Sequence, residues 1–277
     1  MKRSVLARAA VSAAVVASSL LLMTATSVAA STLPTLTLGV TKNAVTVGGS
    51  EVSGAVDVVT TVTGEASDAP ALILLNPGVT AAQLGHVVSS FTKNTPFDAI
   101  DPYATIVFDG FTAQGTPTTD QVVLPAGNYV AVNNGNGFTP FTVSPSATPA
   151  SLPAPAATVS AIDFAFRGAA TLHDGELVRF ENDGWLIHMI AYRQAKSMAD
   201  AVKAEKLLLA GDVGHGQANK YATKVQGQFA GPLSHGAMQQ ETITQPPGVY
   251  VIYCAMNAED GRDHFQLGMY RTITIVK

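Results

Sequence analysis

Between residue 31 and the C-terminus the chain is a succession of short β-branched runs closed by turn residues. "AVTVGG", "AVDVVTTVTG", "ATIVFDGF" and "NYVAVNN" are followed by "AIDFAF", "ELVRFENDG", "YVIYCAM" and "RTITIV". Each is bounded by Gly, Asn or Asp, which supply the tight reversals that short strands need. Strands this short and this numerous are those of an all-β fold. Only two stretches interrupt them with a helical pattern. "TAAQLGHVVSSF" follows "NPGVT", and "SMADAVKAEKLLLAG" opens on Ser197, a good N-cap with Asp200 three residues on.

The second constraint is residues 144–158, "SPSATPASLPAPAAT". Pro, Ala, Ser and Thr alone cannot build a core, and such a segment favours extended polyproline-like backbone. It is expected to act as a linker between residues 31–143 and 159–277. The two parts are alike. "LPAGNYVAVNN" (124–134) aligns with "QPPGVYVIYCA" (245–255), placing Gly127 on Gly248, Tyr129 on Tyr250 and Asn133 on Cys254. At the same offset Gly54 falls on Gly175. Two β-sandwiches with Greek-key connections, each with one short helix, are the expected architecture, the first being a degenerate copy of the second or another β-sandwich.

Residues 1–30 have the character of an export signal. Lys2, Arg3 and Arg8 precede the apolar run "AAVSAAVVASSLLLMTA", which closes on the small residues "SVAA". Cleavage after Ala30 is expected, an uncleaved anchor being the alternative for so long a run. The mature protein would then work outside the cytoplasm, secreted or in the cell envelope. Three of the 16 basic side chains lie in this segment, so the rest carries 13 against 20 acidic ones, a net charge of about −7 that argues against nucleic acid or an anionic membrane surface as partner.

Cys254 is the only cysteine. Exported proteins use cysteines in pairs, so an unpaired one is either an inert buried thiol or chemically used. Its surroundings, "YCAMNAEDGRDHFQLGM", carry His264 and Met269, and His188 stands upstream in "ENDGWLIHMIAY". A thiolate, two imidazoles and a thioether form the ligand set of a mononuclear copper electron-transfer site. The soft sulfur donors favour Cu(I), imidazole suits both oxidation states, and a rigid β scaffold limits movement as the electron passes.

The C-terminal part, about 159–277, resembles the cupredoxins. The resemblance is carried by "NDGWLIH", by the "PPGVYVIYC" approach to the cysteine and by "HFQLGM" before a final strand. It implies a cupredoxin-like fold with one copper ion held by His188, Cys254 and His264, with Met269 axial, and a redox partner protein in the envelope. One feature departs from the familiar small blue copper proteins. They have two to four residues between the cysteine and the second histidine, whereas nine, "AMNAEDGRD", stand here. The spacing is similar to that of secreted bacterial cupredoxin-like domains with a long Cys-to-His loop, and "EDGRD" is a turn able to bring His264 back.

No G-x-S-x-G elbow, H-E-x-x-H, P-loop or paired H-x-H motif is present, so an enzyme is not expected. A metal-free extracellular binding or structural module is the alternative, as is a copper delivery or storage protein. The first part carries His86 without partners, and no metal site is expected there. His215 and His235 lie in Gly-rich loops and are expected at the surface, with an accessory metal role as the lesser alternative. Asp260, Arg262 and Asp263 are either a solvated loop or a patch that tunes or docks at the site.

Overall fold

The computed structural model describes residues 33–64, 67–92, 95–113, 115–133, 136–211 and 217–277. The expected signal peptide and His215 lie outside the described residues. Among those described, no helix is long and apolar enough to cross a membrane.

Both parts are β-sandwiches, and their strand orders correspond. In the first, the strands Ala44–Gly49, Thr35–Thr41, Gly54–Val62 and Thr118–Leu124 lie side by side. In the second, Ala165–Gly168, Ala157–Ile162, Leu177–Asn182 and Met238–Thr242 repeat that order. In each, the second and third strands of the order pair parallel and the third and fourth antiparallel. The facing sheets correspond too. Asn136–Val143, Gly127–Asn133, Pro70–Leu75 and Ala104–Asp109 match Tyr270–Val276, Gly248–Tyr253, His188–Ala195 and Ala222–Leu233, with Thr171–His173 added at the edge of the second.

The repeat reaches individual side chains. Tyr129 and Tyr250 are both fully buried, and each hydroxyl donates to the carbonyl of the proline four residues earlier, Pro125 at 2.8 Å and Pro246 at 2.6 Å. Tyr tolerates such burial because its apolar ring packs while its O–H finds a partner.

Alternation along the strands supplies each core. Leu36, Leu38, Val56 and Val58 face Leu72, Phe108 and Tyr129 in the first sandwich. Val178 and Phe180 face Ile190, Phe229, Tyr250 and Ile273 in the second, with Phe180 and Phe229 stacked at 4.8 Å. The helices Ala81–Ser89 and Met198–Leu209 form where expected. Thr80 and Gln83 make a capping box at the first, and the Ser197 hydroxyl accepts from Asp200 N–H at the second. Each satisfies amide groups that helix geometry leaves unpaired.

The relation between the two parts differs from the sequence expectation. Residues 33–277 form one compact unit. Met238–Thr242 of the second part pairs antiparallel with Thr118–Leu124 of the first, at Gln239–Val122 and Gln240–Gln121, so one eight-stranded sheet runs through both. Ser234 Oγ also accepts from Ile106 N–H at 2.9 Å. The Pro/Ala-rich segment 144–158 is tied down along this unit. Ser144 brackets Val52, Ala55 N–H donates to Ala150 C=O, and Ala156 N–H donates to Leu177 C=O. Gly54, at φ +112°, lets Pro149 and Ala150 lie where a Cβ would stand within 3 Å of them. The segment therefore packs along the unit as a strap.

Candidate metal centre

His188 opens the strand His188–Ala195, and the turn before it is built around Asn182. This side chain is almost fully buried. Its amide donates to Leu186 C=O at 2.8 Å and Leu233 C=O at 2.7 Å, and its Oδ1 accepts from Gly184 N–H. A Cβ at Gly184 would stand 2.7 Å from His188 Nε2 and 2.6 Å from Asp163 Oδ1, so the glycine of "NDG" is required by close approach.

Cys254 follows the strand Gly248–Tyr253. Its N–H donates to Met269 C=O, and its C=O accepts from Phe265 N–H. The nine intervening residues do not hold His264 away. Asn257 pairs with Asp263 across the loop, Ala258 N–H donates to Arg262 C=O, and Gly261, at φ +79°, turns the tip. The extra residues therefore form a side excursion that closes at its own base. Asp263 then caps the short helix His264–Leu267 through a capping box with Gln266, and Gly268 in the left-handed region returns the chain to Met269. Asp260 and Arg262 pair with each other at the exposed tip.

His188, Cys254 and His264 come together. His188 Nδ1 and His264 Nδ1 are 3.1 Å apart, and Cys254 Sγ lies 3.4 Å from His264 Nδ1 and 3.8 Å from His188 Nδ1. Among the described residues this is the one group of three potential metal ligands with mutually close donor atoms. A triangle with those edges has a circumradius of about 2.0 Å, the length of a metal–imidazole bond of ~2.0–2.1 Å. All three side chains are at most 1% exposed, and Met269 is fully buried beside them in sequence and backbone pairing. The geometry and the soft sulfur donor fit one copper ion.

The surrounding groups fix the protons. His188 Nε2 lies 3.0 Å from Asp163 Oδ1. The hydrogen-bond network assigns the His188 proton to Nε2 and leaves the Nδ1 lone pair facing Cys254 and His264. His264 Nδ1–H then donates to His188 Nδ1, and His264 Nε2 is left buried without a partner. A ligand taking both Nδ1 lone pairs would move the His264 proton to Nε2. Cys254 Sγ accepts from Met189 N–H at 3.4 Å. Burial pushes the thiol up to about 12 against the opposing effect of the Met189 and Met256 amides. In the metal-free protein the sulfur is therefore a thiol, and only a bound cation would depress it. Burial, then the neighbouring His188, takes His264 down to about 4.

Three groups at the site carry no spacing signal in the sequence. Asp163 holds His188 and also accepts from Trp185 and Leu186 N–H at 2.9 and 3.2 Å. Asp98, from the first part, accepts from Ile187 N–H. Phe164, the one non-glycine residue at positive φ among the described residues, sets its ring edge-on to His264 at 5.3 Å. The other histidines stay apart from the centre. His235 is exposed, stacks on Trp185 at 4.6 Å and bonds Gly184 C=O, while His86 and His173 are exposed.

No protein-family model matches this sequence, and no curated protein matches it. Solved structures do. Na-dithionite-reduced auracyanin from Roseiflexus castenholzii is 17% identical, matching 43% of this chain and 95% of its own at a TM-score of 0.26. The purple cupredoxin from Nitrosopumilus maritimus is 14% identical, over 43% of this chain and 99% of its own, at 0.24. The Cu-containing nitrite reductase from Thermus scotoductus is 11% identical, over 88% of this chain and 68% of its own, at 0.26. Likenesses this distant do not decide what this chain does; the donor geometry carries that question.

Proposed function

We propose that this chain is an extracytoplasmic copper protein of cupredoxin type that transfers single electrons through one mononuclear site. His188 and His264 would hold the ion through Nδ1, Cys254 through its thiolate, and Met269 through its thioether. The observation that carries this reading is the triangle of two Nδ1 atoms and one Sγ.

Bound copper would supply a one-electron couple between Cu(I) and Cu(II). The chain supplies the rest. Asp163 keeps the His188 proton on Nε2 and its ring in place. The Met189 N–H donates to sulfur and stabilises its negative charge. Two sheets and the capped turn at His264 fix the donor positions, which keeps rearrangement small when the charge changes. The donors are almost fully buried, which favours an electron carrier over a catalytic site that keeps an open position. The electron partner would be another protein of the envelope, and the N-terminal thirty residues would direct export.

Adding Cu(II) to the protein, with visible absorption and electron paramagnetic resonance as readouts, tests this. An intense thiolate-to-copper band with narrow copper hyperfine splitting, lost in Cys254→Ala, is the expected result. Copper bound without that band would point to storage or delivery. Failure to bind Cu(I) or Cu(II) stoichiometrically would leave a metal-free module.

A further inference from the structure

A cavity of about 430 Å³, lined by none of the donor residues, lies on the outer face of the first sandwich. Ile73 and Ile106 of the sheet form one wall, and Phe91, Phe97 and Phe138 form others, with Phe91 and Phe97 in an edge-to-face pair at 5.9 Å. The second part closes it with Gln228 and Pro232. The volume falls within the range of small-molecule sites, roughly 300–1,000 Å³.

One acid breaks this apolar lining. Asp109 ends the strand Ala104–Asp109 and faces the cavity. Its Oδ1 accepts from Gln228 Nε2 at 3.3 Å, and the same amide donates to Gly110 C=O at 3.3 Å. No cation stands beside it, and Oδ2 has no hydrogen bond among the described residues. Burial raises the acid well above the ordinary carboxyl range, against the weaker effect of Gln228. The position is nonetheless built for it. A Cβ at Gly231 would stand 2.0 Å from Asp109 Oδ1, so the opposite strand carries glycine where the carboxyl packs. With Oδ1 engaged by the amide, the proton belongs on Oδ2 and makes the acid a donor.

Asp109 is half-buried with Oδ2 turned to the apolar cavity, and the best complement of a donor there is a neutral acceptor. An organic cation would have to strip the proton and shed its hydration in an apolar chamber. We propose that this cavity binds a small neutral aromatic molecule bearing one hydrogen-bond acceptor, of the aryl ketone class, with Asp109 as donor and the three phenylalanines around the ring.

Acetophenone, ethylbenzene and phenethylammonium are the probes, tested on the full chain by saturation-transfer NMR and calorimetry. Acetophenone is expected to bind at least ten-fold more tightly than ethylbenzene. Asp109→Ala should bring acetophenone to the level of ethylbenzene, whereas Asp109→Asn, which keeps an N–H donor, should stay within a few-fold of wild type. Ala71→Phe should fill the cavity and abolish both while circular dichroism is retained. No binding of acetophenone, or binding indifferent to the Asp109 variants, overturns the proposal. So does tighter binding of phenethylammonium with proton release.

Discussion

The Asp163 carboxylate accepts the Nε2 proton of His188 at 3.0 Å, and the same oxygen takes the backbone N–H groups of Trp185 and Leu186. One carboxylate thus fixes both the ring of His188 and the turn that presents it. Partial burial works to raise its pKa. The hydrogen bond from His188 and those from the two amides outweigh burial and hold it below the usual value. The negative charge makes His188 a stronger donor through Nδ1. Asp163→Asn keeps an acceptor but loses the charge. The expected result is a loss of about 10- to 100-fold in Cu(II) affinity and a higher reduction potential, read by competition titration and voltammetry. An unchanged potential would mean that Asp163 serves the turn alone.

Copper binding should release one proton at neutral pH. Burial holds the Cys254 thiol at about 12, so it is protonated at pH 7, while His264, pushed down by burial to about 4, is already neutral. Burial likewise outweighs Asp163 and lowers His188. Only the thiol has a proton to lose. Affinity should therefore rise about ten-fold per pH unit from neutral pH up to about 12. In acid, protonation of the two histidines adds further protons to the balance and steepens the dependence. Calorimetry in two buffers of different ionisation enthalpy gives the count. A value of zero at pH 7 would exclude Cys254 as a ligand.

Met269→Leu separates ligation from packing. Met269 is fully buried in the core of the second sandwich, and a swap of similar volume is expected to change stability by less than about 1.5 kcal/mol. The potential should nevertheless move upward, because a thioether donor would be lost and the drier site would disfavour the more highly charged Cu(II). Denaturant unfolding and voltammetry on one sample read both. A potential that stays put would assign Met269 to the core.

Much of this was legible in the sequence, for reasons that separate local from distant physics. The strands, the helix at Ser197 and the matching Tyr129 and Tyr250 follow from periodicity and turn residues acting within a few positions. Cys254, His264 and Met269 are legible because one loop carries all three. Asp163 stands 25 residues before His188, and nothing in "AIDFAF" marks its aspartate as a partner. Asp98 comes from a short helical turn of the other part of the chain, 89 residues before Ile187, where no spacing marks it. The seam between Thr118–Leu124 and Met238–Thr242 was equally hidden, because either strand reads as a self-sufficient sandwich edge. The Pro/Ala-rich strap shows the limit of composition, which does not say what a backbone packs against.

That seam yields the last prediction. One register step beyond Gln240–Gln121, Glu241 comes opposite Asp120. Burial raises Asp120 to about 7, and burial together with the charge of Asp120 raises Glu241 well above the ordinary range. Glu241 Oε1 is also buried without a hydrogen bond. Two acids of raised pKa favour the folded state when protonated. Above the ordinary carboxyl range the unfolded chain ionises while the folded one holds its protons, so the unfolded state binds fewer of them. Stability contributed by Asp120 is complete below about 4 and is lost as pH rises to about 7, and Glu241 extends the decline. Denaturation midpoints measured from pH 4 to pH 8 should therefore fall across that window. Asp120→Asn should flatten the fall and raise the midpoint at pH 8, since it removes the charge that the seam must otherwise accept. A variant that instead lowers the midpoint at pH 8 would show that an ionised Asp120 is stabilising, and the seam would then have to contain a cationic partner for it.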